Sequence, residues 1–402
     1  MINYQLDFPL LKQKYKGQSL VYFDNAATHP KPKLVLKAIE NHYKKNNANV
    51  HRGLNFLTNR ATNAYEEARN KVANLISASA EEIIFTSGTT MSLNLITKAW
   101  GENNLQAGDV VVLSQAEHHA NIVPWLQLRE KIAIDIVYIP LKSNGLLDMI
   151  KAKELLAGKN VKVLSITAGS NVLGISYDLK DLIYLAKNLN IITIVDAAQA
   201  VAHEEINIAD LACDFLAFSG HKIGATEGIG VLYIKRSFLE DIPTFLGGGA
   251  MIAEVLEQSF IPVSGLTKLE AGTPNIIGAV SLGSAIDYIQ SVSYLEIKKR
   301  EDILTKYLIK KLATLYFVKI LGANNNSWPI FSLKFTDMHP HDVADLLGES
   351  GIIVRAGHHC AQVLHDSLKV SASLRLSLSY YNTKSEIDYF IKSMKKIHKI
   401  LA

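Results

Sequence analysis

The sequence predicts an α/β protein, with a large α/β/α domain on a mostly parallel sheet and a smaller α+β domain. Three observations lead there. Short β-rich runs alternate with helical stretches over most of the first 235 residues. Most of those runs are nearly continuously apolar, as strands buried on both faces of a parallel sheet need to be. After about residue 275 the alternation gives way to longer helices with fewer strands. The 402 residues suffice for two or three domains.

Taken in order, the expected strands are SLVYFD (19–24), EIIFTS (82–87), DVVVLS (109–114), IDIVYIP (134–140), VKVLSIT (161–167), IITIVD (191–196), FLAFSG (215–220) and GVLYIK (230–235). Helical patterns between them, such as ATNAYEEARNKVANLI and LKDLIYLAKNLN, supply the covering layers. A helical stretch then runs from roughly 275 into the 310s. Strand-like FVKIL and PIFSLKF follow, then helix HDVADLLGESG, strand IIVRAG and a last helix from about 384. The expected division is 20–275 for the large domain and 1–19 with 276–402 for the small one, chain ends needing something to tie them down.

Bulk composition narrows the function. Net charge is +4 and the pI is near 8.7, with acidic residues mixed among basic ones. That lacks the concentrated basic patch of a nucleic-acid-binding protein. The basic KSMKKIHKI suits a solvated helix face. No apolar run is long enough to cross a bilayer, and the first residues lack the layout of a signal peptide. The two cysteines, Cys213 and Cys360, form no disulfide framework and no CxxC pair. The expectation is a cytoplasmic protein in a reducing compartment.

In an open parallel sheet, ligands bind beyond the carboxyl ends of the strands. Polar residues gather at nearly every such exit. Asn25 and Ala26 follow the first strand, Ser87-Gly88-Thr89-Thr90 the second, and Glu117-His118-His119 the third. Ser170-Asn171, Asp196 with Gln199, and Ser219, His221 and Lys222 follow later ones. SGTT is a glycine turn feeding a helix, where Thr89 serves either as a plain cap or as a phosphate ligand. It has neither the GxGxxG nor the GxxxxGK[ST] pattern, so NAD and ATP are not its natural ligands. Asp196 ends an apolar strand and either caps the next turn or partners a buried cation. A pyridinium N–H is one such cation. On that reading Lys222, otherwise a solvated turn residue, reaches the aldehyde of pyridoxal 5′-phosphate (PLP), and His118 lies on the ring.

The motifs YFDNAAT, VHRG, SGTT, EHHANIVPW, SNVLG, VDAAQAV, FSGHK, EAGTPN, RAGHHCAQ and LRLSLSYYNT occur in this order along essentially the whole chain. In them the chain resembles the class V, fold-type I PLP enzymes, specifically cysteine desulfurases of the SufS/CsdA group. Related selenocysteine lyases share most of these motifs. The resemblance implies the PLP-transferase fold, with Lys222 binding PLP covalently, Asp196 on the pyridine nitrogen, His118 stacked on the ring and Gln199 beside its hydroxyl. Thr89, Ser219 and His221 would hold the phosphate. Thr273 would reach the phosphate of a neighbouring subunit, which implies a homodimer. Asn171, Arg355 and Arg375 would hold the substrate, and Asn25 and Ala26 would line its pocket.

The resemblance also makes Cys360 the thiol that takes sulfur from L-cysteine, leaving L-alanine and an enzyme persulfide for iron–sulfur cluster assembly or other sulfur delivery. Arg355, His358 and His359 would favour its thiolate. The HHC cluster has no further ligands at zinc-like spacing, so no metal site is expected. Cys213 is expected to be structural. The short segment around Cys360 implies a recessed thiol and a SufE- or SufU-type sulfur acceptor. The alternatives are a selenocysteine lyase and a weakly active paralogue acting through a partner protein. Three departures stand out: HKIGATEG where the family has HKxYGPxG, Ala168 where many relatives carry a polar residue, and Ser87 in place of a common Arg.

Overall fold

The computed structural model describes residues 3–51, 53–322 and 327–401; Arg52 of the VHRG motif and residues 1–2 of the expected small domain lie outside them. A short ribbon of β1 (Lys14–Tyr15) and β2 (Gln18–Ser19) precedes β3 (Val21–Tyr22). The next seven strands are β4 (Ile83–Thr86), β5 (Val110–Ser114), β6 (Asp135–Ile139), β7 (Val161–Thr167), β8 (Ile192–Asp196), β9 (Phe215–Ser219) and β10 (Gly230–Ile234). A hairpin of β11 (Ile252–Val255) and β12 (Phe260–Pro262) follows. The last strands are β13 (Val318–Ile320), β14 (Ile330–Phe335), β15 (Ile352–Ile353), β16 (Arg355–Gly357) and β17 (Ser373–Ser377).

The α/β expectation is borne out by a seven-stranded sheet of order β4-β10-β9-β8-β7-β5-β6. β10 runs antiparallel to both its neighbours, while the pairs from β9 through β6 are all parallel. The continuous apolar runs explain themselves here. Val112, Leu164, Val195 and Leu216 face one hydrophobic core, and their neighbours Val111, Val163, Ile194 and Phe215 face another. Successive strand residues point to opposite faces, so both cores draw on every strand. Helices Phe56–Leu75 and Lys180–Asn188 cover the first face; the helix starting at Thr89 and helix Val123–Ile132 cover the second. A third core, with Phe331, Leu333, Leu374, Leu376 and Phe390, lies under the four-stranded sheet β13-β14-β17-β16.

Three local findings differ from the sequence reading. SLVYFD does not enter the main sheet: β3 pairs in parallel with β15, and Val21 and Phe23 join the third core. Only alternate residues of that stretch are fully buried, as befits a strand with one apolar face. The helical stretch after 275 is two helices, Ile276–Val292 and Tyr294–Leu312. Ser293 breaks it with φ +71° and caps the second helix, its hydroxyl accepting the Glu296 N–H at 3.3 Å. Before the break, Ala279, Leu282 and Ile286 pack in the first core; after it, Leu304, Leu308 and Leu312 pack in the third. Finally, IIVRAG divides into β15 and β16, which join different sheets.

Candidate active site

A cavity of about 230 Å³ opens at the carboxyl ends of β5, β7, β8 and β9. It brings together Thr89, His118, Asn171, Asp196, Gln199, Ser219, His221, Lys222 and Arg355.

At one end, β4 leads through Gly88, φ +147°, into the helix that begins at Thr89. A Cβ on Gly230 of β10 would stand 2.3 Å from the Gly88 Cα, so that crossing admits only glycine. Gly88 is the cap, which frees the Thr89 side chain: its hydroxyl lies 2.7 Å from Ser219 Oγ, and its N–H donates to the same oxygen at 2.8 Å. Beside them His221 keeps a buried Nδ1 without a partner. Burial, then the charge of Lys222, pull its pKa down to about 4.

In the middle, Asp196 ends β8 almost fully buried and accepts the Ala198 N–H at 2.9 Å, so it does cap the following turn. Burial pushes its carboxyl up to about 6, against the Ala198 hydrogen bond and then the pull of Lys222. His118 Nδ1 accepts the Ala120 N–H at 3.1 Å, which leaves the proton of the neutral ring on Nε2. Burial and then Lys222 lower its pKa to about 4. Gln199 donates through Nε2 to the Ala26 carbonyl at 2.9 Å. Lys222 Nζ donates to the carbonyls of Ala26 and Ala27, the latter at 3.1 Å. Burial foremost, then Arg375, draw its pKa down to about 7, so a neutral amine is within reach near neutrality.

The segment carrying Asn25 and Ala26 is pinned to β17. Ala26 N–H donates to Ser377 Oγ at 2.9 Å, and Asn25 Nδ2 to the Ser377 carbonyl at 2.8 Å. Arg375, also on β17, is fully buried. Its Nη2 donates to Asp24 at 2.8 Å and its Nη1 to the Asn171 carbonyl at 3.2 Å, while Nε has no partner. Arg375 is not among the residues that line the cavity, whereas Arg355 is. The Asn171 side chain points elsewhere, donating to the His359 carbonyl at 2.8 Å.

Cys360 sits half-buried in a tight turn closed by Ala361 N–H to the His358 carbonyl at 2.9 Å. His359 and Cys360 occupy its central positions with φ +54° and +58°. Two non-glycine residues in left-handed conformation cost about 1–3 kcal/mol each, so outside contacts must hold them. His359 is not a charge beside the thiol as the sequence suggested. Its ring is buried against Ser373 Oγ at 3.0 Å, and burial, then Arg375, push its pKa far down. His358 is exposed. Cys213 is buried, and burial pushes its thiol pKa up.

Thr273 does not join the cavity of its own chain. It is exposed, with Asn49 Nδ2 3.5 Å from its hydroxyl, and its neighbour Pro274 lines a separate cleft of about 430 Å³. The departing turn after Lys222 has its own fastenings. Gly224 takes φ +91°, Ala225 is buried, Thr226 bonds Ser281 Oγ through N–H and hydroxyl at 3.1 and 3.0 Å, and Glu227 pairs with Lys31 at 2.5 Å. Sequence reasoning gave no role to Asp24 or to Glu117. The latter is wholly buried, accepting from the Ser114 hydroxyl, Asn121 Nδ2 at 2.7 Å and Thr167 N–H at 3.0 Å, and burial pushes it up to about 7. Its place in EHHAN, beside His118, was the one available signal.

Residues 21–390 match the family model for class-V aminotransferases. A probable cysteine desulfurase of Xylella fastidiosa is 40% identical over 98% of this chain and 95% of its own length. A cysteine desulfurase of Wigglesworthia glossinidia brevipalpis is likewise 40% identical, over 98% and 97%. Among solved structures, the cysteine desulfurase CsdA of Escherichia coli, in an S-sulfonic acid form, superposes with a TM-score of 0.92 at 35% identity, each chain fully covered.

Proposed function

This chain belongs to the aminotransferase class-V family, as one of its cysteine desulfurases, and we propose on that premise that Cys360 is the thiol that accepts sulfur from L-cysteine in a PLP-loaded cavity. The donor set suits PLP. A buried carboxylate, Asp196, is available to a pyridine N–H, and the hydroxyls of Thr89 and Ser219 with the unpartnered Nδ1 of His221 suit a phosphate. The Lys222 amine lies in the wall of the same cavity. Bound there, PLP supplies an electron sink for bond changes at the substrate carbons.

The protein's own part is positional and acid–base. The free Nε of Arg375, with Arg355 at the cavity wall, holds the substrate carboxylate. Lys222, drawn to about 7, takes a proton from the substrate α-carbon and returns one to carbon later. Cys360 Sγ, as thiolate, forms an S–S bond to the substrate sulfur while the substrate C–S bond breaks. The released electron pair stays with the substrate, which gains protons and leaves as L-alanine, and Cys360 is left as a persulfide. A homodimer in which Thr273 completes the neighbouring phosphate site, a SufE- or SufU-type acceptor for the persulfide and a cytoplasmic setting belong to the same proposal.

One observation carries this reading: Lys222 and Asp196 share a cavity whose wall residue Asn171 also fastens the cysteine turn. The test is release of sulfide and alanine from L-cysteine under reductant, wild type beside Cys360→Ala. Equal amounts of both from the wild type and neither from the variant are expected. Undiminished sulfide from Cys360→Ala would overturn the assignment.

A further inference from the structure

His118 faces the cavity, yet its neighbour His119 turns to the cysteine. Its backbone N–H donates to the Cys360 carbonyl at 2.7 Å, and its ring Nε2 accepts the Gln362 N–H at 3.0 Å. One residue thus grips the chain twice just after the thiol, at the Cys360 carbonyl and at the Gln362 N–H. The third grip is the Asn171 amide on the His359 carbonyl at 2.8 Å. These bonds fall where they are needed, because His359 and Cys360 hold a strained left-handed pair. The ring bond also fixes the tautomer: Nε2 accepts, so the neutral ring carries its proton on Nδ1. The short helix Gln362–Ser367 starts at the residue that the ring holds.

Resting on the assignment of Cys360 above, we infer that His119 is a positioning residue: it locks the Cys360 turn against the large sheet, so that the thiol meets the substrate sulfur at a fixed place. The coupling runs through two adjacent residues. His118 belongs to the cavity and His119 to the cysteine, both on the loop that leaves β5. A shift of either side therefore moves the other.

The experiment compares His119→Ala, His119→Gln and Gln362→Pro in the PLP-loaded protein. The proline variant deletes the N–H that the imidazole accepts, at a first helical position where proline is tolerated, and also restrains Ala361, whose ψ is 60°. The first readout is the alkylation rate of Cys360 by iodoacetamide; Cys213 is buried and stays silent. It needs no turnover, so failure here is separable from failure of the sulfur-transfer assignment. The second is alanine formed in one turnover without reductant, beside the visible absorbance of bound PLP. His119→Ala and Gln362→Pro are expected to raise alkylation roughly three- to tenfold, as loss of one hydrogen bond allows. Both should slow single-turnover alanine formation with KM for L-cysteine and the absorbance unchanged. In His119→Gln, a side-chain carbonyl able to accept the same N–H should restore both rates. Wild-type alkylation in His119→Ala and Gln362→Pro would overturn the inference, as would a rise in the first that the second does not share.

Discussion

Lys222 is the residue whose setting contradicts its chemistry most. An ammonium that titrates near 10.5 in water is drawn to about 7 by burial. The folded pKa is the lower one, so without cofactor the fold opposes protonation. Above pH 10.5 the amine is neutral folded or unfolded, and no penalty exists. As the pH falls, the unfolded chain is protonated first, and the penalty grows until the folded pKa near 7 is passed. At that plateau it is on the order of a few kcal/mol. Lys222→Met should therefore raise the Tm of cofactor-free protein at pH 7 and hardly change it above pH 10.5; thermal melts at both settle it. At Glu117 burial likewise opposes the charged form, raising its pKa to about 7, but here three donors engage the side chain. Glu117→Gln sets an amide N–H against the Asn121 amide. A loss of about 1–3 kcal/mol in urea unfolding is expected. That Lys222 and Asp196 share a cavity was legible, because strand exits announce them; Cys360 was legible only as a candidate from its local motif, and it does not line that cavity. Asp24 was not, since its partner Arg375 lies 351 residues away and only the folded chain joins them.

Among the elements, β10 does the most for the site. Its reversed direction lets Gly230 pass beneath Gly88, pressing the Thr89 turn against Ser219. A methyl at Gly230 would meet backbone, which cannot move aside as a flexible side chain can. Gly230→Ala should cost about 1–3 kcal/mol of stability or more, as overpacking at a close backbone crossing does, and should weaken PLP binding measured by equilibrium dialysis. The turn after Lys222 behaves differently. Glu227 is largely exposed, so Glu227→Gln should shift stability by less than about 1 kcal/mol in the same unfolding assay. Strands buried on both faces were readable from unbroken apolar runs. The break at Ser293 was not: apolar spacing continues across it, and only a left-handed serine with a capping hydroxyl divides the helix.

At the scale of the whole molecule, two cores flank one sheet and a third lies beneath the smaller sheet. The α/β class and the change of grammar near the C-terminal third were legible; which core each segment joins was not, because that depends on long-range packing. Thr273 sits outside the cavity of its own chain, so its proposed role needs a second copy. Sedimentation equilibrium should give about twice the chain mass of 44.3 kDa, and Thr273→Ala should weaken PLP binding. A monomer that binds PLP undiminished by Thr273→Ala would remove that role.

The crossing of Gly88 by Gly230 bears on the order of synthesis. The end of the cavity proposed for phosphate cannot assemble from residues 83–95 alone; it waits for β9 and β10, made more than a hundred residues later. The part proposed for substrate waits longer still, for Arg375 and Ser377. Residues through Ser377 must thus be made before the cavity proposed for a reactive aldehyde is furnished, and a product stopped earlier carries the lysine without the groups around it.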